Sequence, residues 1–276
     1  MKKEILGKCM LLMSALIWGS SFIVMKNAVD FIFPFTLLCI RFVLSTIFIS
    51  ILFFNKIKKI KKQDLLGGFL AGLALFSAFS IQTFGLQLTT PGWLYFKKKP
   101  DKAQIFAAIL CFIGVGFVSL DSSLKVNLGD LYTLIGGFLY AVHIIVCEKA
   151  MKKTSPIIIT ALQFAFASIF SFIAASLFED ISVVFHIDSS IYLQILYLAF
   201  FATTLCYLFQ NVGQKFVNEN IAALLLSLES VFGVFFSILF GQEIMTLQIG
   251  LGFMIIFISV LISETKLSFL HRGGKQ

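Results

Sequence analysis

One stretch of this chain occurs twice, and the repetition constrains the fold more than any other feature. The first copy, residues 15–42, reads ALIWGSSFIVMKNAVDFIFPFTLLCIRF, and the second, residues 137–164, reads GFLYAVHIIVCEKAMKKTSPIIITALQF. A constant offset of 122 residues pairs Trp18 with Tyr140, Pro34 with Pro156 and Phe42 with Phe164. Each copy has two apolar runs joined by a polar elbow with proline. Internal duplication in an apolar chain is typical of transporter folds, whose substrate site lies where two halves meet near the bilayer midplane.

The composition indicates a protein solvated by lipid. The 276 residues are 59% hydrophobic and 13% charged, with a mean hydropathy of +0.97, outside the range of soluble domains. The basic residues that give the net charge of +8 lie in short clusters between apolar runs, where they orient a membrane protein, so we expect no nucleic-acid partner. The chain has no phosphate-binding glycine loop, no zinc motif and no paired cysteines, so we expect neither an enzyme nor a metal or cofactor.

Apolar runs of about 20 residues cross a bilayer as helices. The sequence predicts nine of them, at residues 9–27, 33–54, 65–88, 103–121, 130–148, 156–178, 191–213, 221–240 and 246–263. The linkers are short, and the basic start MKKEILGK is interpreted as part of an uncleaved first helix. The predicted fold class is an all-α integral membrane bundle of two repeats, residues 1–126 and 127–276, which the family resemblance given below implies to be inverted.

The basic loops predict the orientation. Lysine and arginine cluster at both termini and at residues 56–62, 97–102 and 149–153, so these segments are predicted to be cytoplasmic. The remaining loops carry acidic residues such as Asp30, Glu179 and Glu243, and are predicted to be external.

One crossing is missing from this pattern, because only the run 65–88 separates the basic clusters 56–62 and 97–102. The repeat offset is 128 at Gln82 and Gln210 but 144 at Gln104 and Gln248, so about sixteen residues are absent from the first half. The eight residues 89–96 reach only about 12 Å as a helix, against a hydrocarbon core of about 30 Å. Three explanations remain open: a deletion from a ten-helix parent, a re-entrant hairpin of residues 65–96 with a turn near Gly85, and a flipped topology beyond that point.

The chain resembles the EamA-type permeases of the drug/metabolite transporter superfamily. The resemblance rests on ALIWGSSFIVMK at 15–26, RF at 41–42, TFGLQLTTPG at 83–92, YLFQNVGQKFVNENIAALLLSLESVFG at 207–233 and GQE at 241–243. It implies ten helices in two inverted halves, cytoplasmic termini, a bacterial inner membrane and export of a small metabolite such as an amino acid. The family's fourth helix, which follows the segment equivalent to residues 89–92 and lines the cavity, is the one absent here. Whether two copies of the chain form a homodimer is left open by the sequence.

Polar side chains inside the predicted spans are the candidate site residues. Charges within a bilayer are costly and usually face a cavity or a partner. We therefore expect Arg41 to attract an anionic substrate group and Glu229 to take part in proton coupling, or each to pair with neighbouring hydroxyl or backbone groups. His143 is a candidate proton relay beside Glu148, or a packing residue.

Four further candidates come in repeat-equivalent pairs. Trp18 and Tyr140 place two aromatic faces symmetrically, for stacking of a substrate or for helix packing. Gln82 and Gln210 need hydrogen-bonding partners in hydrocarbon, as cavity-lining or as interhelical groups. The predicted function is gradient-driven transport of a small molecule, and the alternative is a shortened membrane protein that transports nothing.

Overall fold

The computed structural model describes residues 2–86, 128–241 and 246–265, together with five residues of the intervening stretch, Phe106, Ile109, Leu110, Ile113 and Gly114. All regular structure in these residues is helical, and no strand occurs among them. The predicted all-α membrane fold is therefore confirmed.

The described helices follow the predicted apolar runs closely. They are α1 (Lys2–Val29), α2 (Pro34–Leu52), the short α3 (Phe54–Ile57), α4 (Lys62–Leu86), α5 (Leu128–Met151), α6 (Pro156–Phe178), α7 (Ser189–Gln214), α8 (Glu219–Leu239) and α9 (Leu247–Thr265), with a 3₁₀ turn at Ile181–His186. Six helices of the described part, α1, α2, α4, α6, α7 and α8, are long and apolar enough to cross a membrane. Eight predicted runs match helices, and the run 103–121 lies outside the described residues except for five helical positions.

The second helix of each half starts at its proline. Pro34 and Pro156 occupy the first turns of α2 and α6, where a missing N–H costs nothing. Glu179, directly after α6, caps α2: the N–H groups of Phe35 and Thr36 donate to its two carboxylate oxygens at 2.8 and 2.7 Å. A carboxylate at a helix N-terminus also interacts favourably with the helix dipole. The start of α2 and the end of α6 therefore lie together on one side.

This contact fixes the relation between the two halves. Because the start of α2 meets the end of α6, these repeat-equivalent helices run antiparallel. Similarly, Ser14 and Trp18 of α1 bond Cys206 and Ala202 of α7 in reverse order, so α1 and α7 are antiparallel. The antiparallel course of α2 and α6 is the relation expected of an inverted repeat, and it does not fit a second half inserted in flipped orientation.

Glycines allow α4 to approach the second half closely. Gly67, near the start of α4, lies beside Ala150 near the end of α5, and Gly136, near the start of α5, lies beside Gln82 near the end of α4. These two helices are therefore antiparallel, and α4 ends on the side where α5 begins. The chain consequently leaves α4 and enters α5 on the same side of the bundle.

The same contacts bear on the re-entrant hairpin. Helix α4 is continuous through Gly85 and ends at Leu86. Its 25 residues reach about 37 Å, enough to cross the hydrocarbon core. The structure therefore shows no turn at Gly85, and the rest of the proposed hairpin lies outside the residues that the structure describes. The deletion stays a prediction.

Candidate functional site

Three pairs of repeat-equivalent aromatic residues touch each other at the centre of the bundle. Trp18 and Tyr140 have ring centroids 5.9 Å apart, and the centroids of Phe42 and Phe164 are 6.3 Å apart. At the offset of 128, Phe79 corresponds to Tyr207, and their centroids are 6.1 Å apart. Residues related by a two-fold axis contact one another only where that axis passes between them. These six residues, the axial aromatic cluster, therefore mark the pseudo-two-fold axis of the molecule.

Tyr207 is the hub of the axial aromatic cluster. It is fully buried and meets Trp18 and Phe164 edge-on, with centroids 5.1 and 5.8 Å apart. Such edge-to-face contacts are favourable for aromatic quadrupoles. The Tyr207 hydroxyl makes no hydrogen bond of ordinary geometry with the described residues. The cluster thus carries a buried polar group at its centre.

Helix α7, which carries Tyr207, contains a π-helical segment at Leu198–Leu205. Wider π turns leave carbonyl groups available to neighbours and often occur at functional sites. The Trp18 indole N–H donates to the carbonyl of Ala202 at 2.6 Å, and the Ser14 hydroxyl donates to that of Cys206 at 3.1 Å. The position of Trp18 at the axis is therefore fixed by a buried hydrogen bond as well as by packing.

Helix α2 holds the same segment from the other side. The Ser45 hydroxyl donates to the carbonyl of Ala199 at 2.8 Å, and Arg41 Nε donates to the Thr203 hydroxyl oxygen at 2.6 Å. Thr203 in turn donates to the carbonyl of Leu198 at 2.8 Å. The π segment therefore joins α1 and α2 to the helix that carries the hub of the cluster.

Arg41 is a buried cation, with 3% of its surface exposed. Besides the hydrogen bond to Thr203, Arg41 Nη1 lies 3.4 Å from Met25 Sδ, and Arg41 Cζ lies 4.8 Å from the ring centroid of Phe79. No carboxylate of a described residue forms an ion pair with it. A hydroxyl partner was expected for Arg41, and Thr203 supplies one. The three neighbours of Arg41 are a hydroxyl, a thioether and an aromatic ring, so the described residues provide no counter-ion for the positive charge.

The second half carries a neutral counterpart of this group. At the offset of 122, Gln163 corresponds to Arg41 and Cys147 to Met25, and Cys147 Sγ lies 3.3 Å from Gln163 Oε1. His143 Nε2 lies 2.9 Å from the same oxygen. The two halves thus place a charged and an uncharged polar side chain at equivalent positions beside the axis.

His143 was predicted as a proton relay beside Glu148. The structure holds its ring against Gln163 and Cys147, whereas Glu148 forms an ion pair with Lys152 at 3.2 Å. The relay role stays a prediction, and no carboxylate of a described residue bonds this histidine.

The predicted glutamines lie in different surroundings. Gln210 is fully buried and accepts a hydrogen bond from the Tyr140 hydroxyl at 3.2 Å, which brings it to the axial aromatic cluster. Gln82 is half-buried and packs beside Gly136 of α5. Glu229 is half-buried on α8, the helix that packs against α1 at Gly19. Trp18, Arg41, Tyr140 and Gln210 thus surround the axis, Gln82 lies at a helix interface, and the structure shows no hydrogen bond that joins Glu229 to the axial aromatic cluster among the described residues.

Three residues of the site were not identified from the sequence: Thr203, Tyr207 and Gln163. The alignment of residues 15–42 with residues 137–164 already pairs Arg41 with Gln163, and the second offset pairs Phe79 with Tyr207. The sequence holds no comparable signal for Thr203.

Comparison with known proteins gives a consistent result. A model of the EamA-like transporter family matches residues 5–92 and 127–265. An uncharacterized transporter of Archaeoglobus fulgidus is 32% identical over 266 residues, covering 90% of this chain and 82% of the relative. The uncharacterized transporter YyaM of Bacillus subtilis is 24% identical, with 91% of each chain covered. A solved structure titled only "Crystal structure of protein" shares the fold, with a TM-score of 0.75, 12% identity and coverage of 96% of this chain and 98% of that one.

Proposed function

This chain belongs to the EamA-like transporter family, and we propose that it is a secondary exporter of a small metabolite, such as an amino acid or a related compound. In this proposal the two halves rock about the pseudo-two-fold axis, so that a site at the axial aromatic cluster opens to each side in turn. The substrate and the lipid bilayer are the partners that we propose, and a homodimer stays a prediction.

The charge of Arg41, which no carboxylate of a described residue compensates, is the observation that supports this most strongly. A buried guanidinium without a carboxylate is costly in a bilayer, and such residues commonly mark substrate pathways. It lies against Phe79 of the axial aromatic cluster, on the axis where repeat transporters bind their substrates. A substrate carboxylate would supply the missing counter-ion, with up to two parallel hydrogen bonds to the guanidinium.

The location follows from the same reasoning. We propose a bacterial inner membrane with both termini in the cytoplasm, because the ends of the chain and the loops that share their side carry the basic clusters. The driving force is a gradient, since the sequence contains no nucleotide-binding motif.

A second candidate, a shortened protein without transport activity, is favoured by one observation. The chain leaves α4 and enters α5 on the same side, yet the sequence of residues 87–127 contains a single long apolar run, 103–121. A protein in which the first half cannot complete its bundle would hold the axial aromatic cluster closed.

Counterflow in proteoliposomes separates the two candidates. Vesicles loaded with one unlabelled L-amino acid at a time are tested for uptake of the same labelled amino acid. We expect uptake of at least one amino acid, and we expect Arg41→Gln to reduce its apparent affinity by about tenfold or more, the loss of a charge-assisted hydrogen bond. Lys58→Gln, which removes an exposed charge in the loop before α4, is the control and should not change it. Absence of counterflow for every amino acid, with folded protein in the vesicles, would favour the second candidate.

A further inference from the structure

Four polar side chains beside the axis lack hydrogen-bonding partners for one of their atoms. The atoms are His143 Nδ1, Gln163 Nε2, the Tyr207 hydroxyl and Gln210 Nε2, and none makes a hydrogen bond of ordinary geometry with a described residue, although the Tyr207 hydroxyl interacts with that of Tyr140. All four side chains are fully buried. Buried polar atoms without partners are rare in folded proteins and require a specific explanation. Four such atoms around one point leave hydrogen-bonding positions that the described residues do not fill and that a ligand can occupy.

The four residues form one group, although they lie on three helices. His143 of α5 bonds Gln163 of α6 at 2.9 Å, and the ring of His143 lies 5.7 Å from the ring of Tyr207 on α7. The ring of Tyr140 lies 5.6 Å from His143, and its hydroxyl donates to Gln210 Oε1 at 3.2 Å. We call His143, Gln163, Tyr207 and Gln210 the neutral polar cluster.

The chemistry of the neutral polar cluster is that of amide or hydroxyl recognition. Because Gln163 Oε1 accepts at 2.9 Å, His143 donates from Nε2 and keeps Nδ1 as an acceptor. The two glutamine amides offer N–H donors, and the tyrosine hydroxyl offers either role. None of the four carries a formal charge with His143 in this tautomer, so the cluster matches a group that both donates and accepts without being charged.

Its position relative to Arg41 suggests the rest of the ligand. Gln163 is the repeat equivalent of Arg41, so the neutral polar cluster and the guanidinium lie on opposite sides of the axis, with Phe42 and Phe164 in contact between the two halves. We propose that the neutral polar cluster binds the uncharged amide or hydroxyl group of a substrate whose carboxylate is held by Arg41. This rests on the proposed function and narrows its substrates to carboxylates with a neutral polar group.

The test is a competition series in the counterflow assay, with any amino acid that shows counterflow as the labelled reporter. The competitors are L-glutamine, its charged isostere L-glutamate, and L-methionine, which has a similar length but no hydrogen-bonding group. We expect glutamine to compete at least about tenfold better than either, because a site built for hydrogen bonds rejects analogues that leave its polar groups unpaired. Equal competition by glutamine and methionine would overturn the inference.

The matched variant is Gln163→Leu, which keeps the approximate shape and removes the amide. We expect it to abolish the preference for glutamine over methionine, whereas Gln63→Leu, at an exposed position on α4, should retain it. An unchanged preference in folded Gln163→Leu would contradict the role of Gln163. The comparison of competitors in the unaltered protein tests the cluster even if that variant does not fold.

The outcomes also distinguish this inference from the proposed function. Counterflow without selectivity for glutamine would overturn only the neutral polar cluster as a substrate subsite. Absence of counterflow for every amino acid would overturn both.

Discussion

Arg41 illustrates how a single residue is stabilised and left incomplete at the same time. Its Nε–H donates to Thr203, and its guanidinium lies over Phe79, so part of the cost of burial is offset. The charge itself has no anionic partner among the described residues. The two expectations for this residue, a structural hydroxyl partner and an anionic substrate, are thus compatible: the first is observed and the second is proposed.

Glu229 gives a prediction at the same scale. If this carboxylate exchanges the coupling proton, then Glu229→Gln should reduce accumulation driven by a proton gradient to the level of protein-free liposomes. Counterflow needs no net proton movement, so it should persist at a measurable rate in the same preparation. The measurement compares both activities in one batch of vesicles with an imposed pH gradient. Accumulation equal to that of the unaltered protein would remove Glu229 from the coupling mechanism.

Single residues were predictable from the sequence where an ionisable side chain lay within a span, as at Arg41, or where the repeat marked them. Trp18 and Tyr140 were paired by the offset, and the structure brings their rings together at the axis. Thr203 was not identified, because a threonine in an apolar run gives no sign of which helix face it occupies. Its role depends on the π segment, which changes the angular position of every side chain that follows.

At the scale of elements, the π segment of α7 connects the site to the packing of the bundle. Its carbonyls accept from Trp18 on α1 and from Ser45 on α2, and its Thr203 accepts from Arg41. Hydropathy predicted the helix as the run 191–213, close to the observed Ser189–Gln214, because length and apolar content are properties of the whole segment. The π segment could not be predicted in this way, since it depends on partners from two other helices.

The contact between α1 and α8 gives a prediction about stability. Gly19 lies against Phe232, and a Cβ added at Gly19 would be 2.8 Å from the backbone nitrogen of Gly233. Gly19→Ala should therefore separate the helices and lower the stability by about 1–3 kcal/mol, as overpacking does. Gly250→Ala on α9, where nothing lies within 4 Å, is the matched control and should leave the stability unchanged or slightly raised.

Thermal unfolding of the purified protein in detergent measures both variants. The account predicts a lower midpoint for Gly19→Ala than for Gly250→Ala. Equal midpoints would show that α1 and α8 are not in contact at this glycine.

At the scale of the whole molecule, two halves of one chain meet around an aromatic axis. The inverted relation was implied by the family resemblance and agrees with the antiparallel course of α2 and α6. The axis itself could not be placed from the sequence, because the offset shows which residues correspond and not which of them touch. The shortening of the first half was predicted from the change in offset between Gln82 and Gln104, and it stays a prediction. How the chain connects α4 to α5 lies outside the residues that the structure describes.

In alternating access, water reaches the axial site from each side of the membrane in turn. The reactivity of a cysteine placed at that site measures this most directly. Thr203→Cys, beside Arg41, would be made in a chain whose natural cysteines are replaced, and membrane-impermeant thiol reagents applied to right-side-out and inside-out vesicles. Cysteines at the exposed positions Asp30 and Lys58, on opposite sides of the bundle, report which side each preparation presents.

The account predicts that the cysteine at position 203, buried in the structure, reacts in both kinds of vesicle, because each half-cycle opens the axis to one side. A cysteine that reacts in neither preparation, while the controls at positions 30 and 58 react as expected, would contradict alternating access and leave a closed, non-transporting bundle.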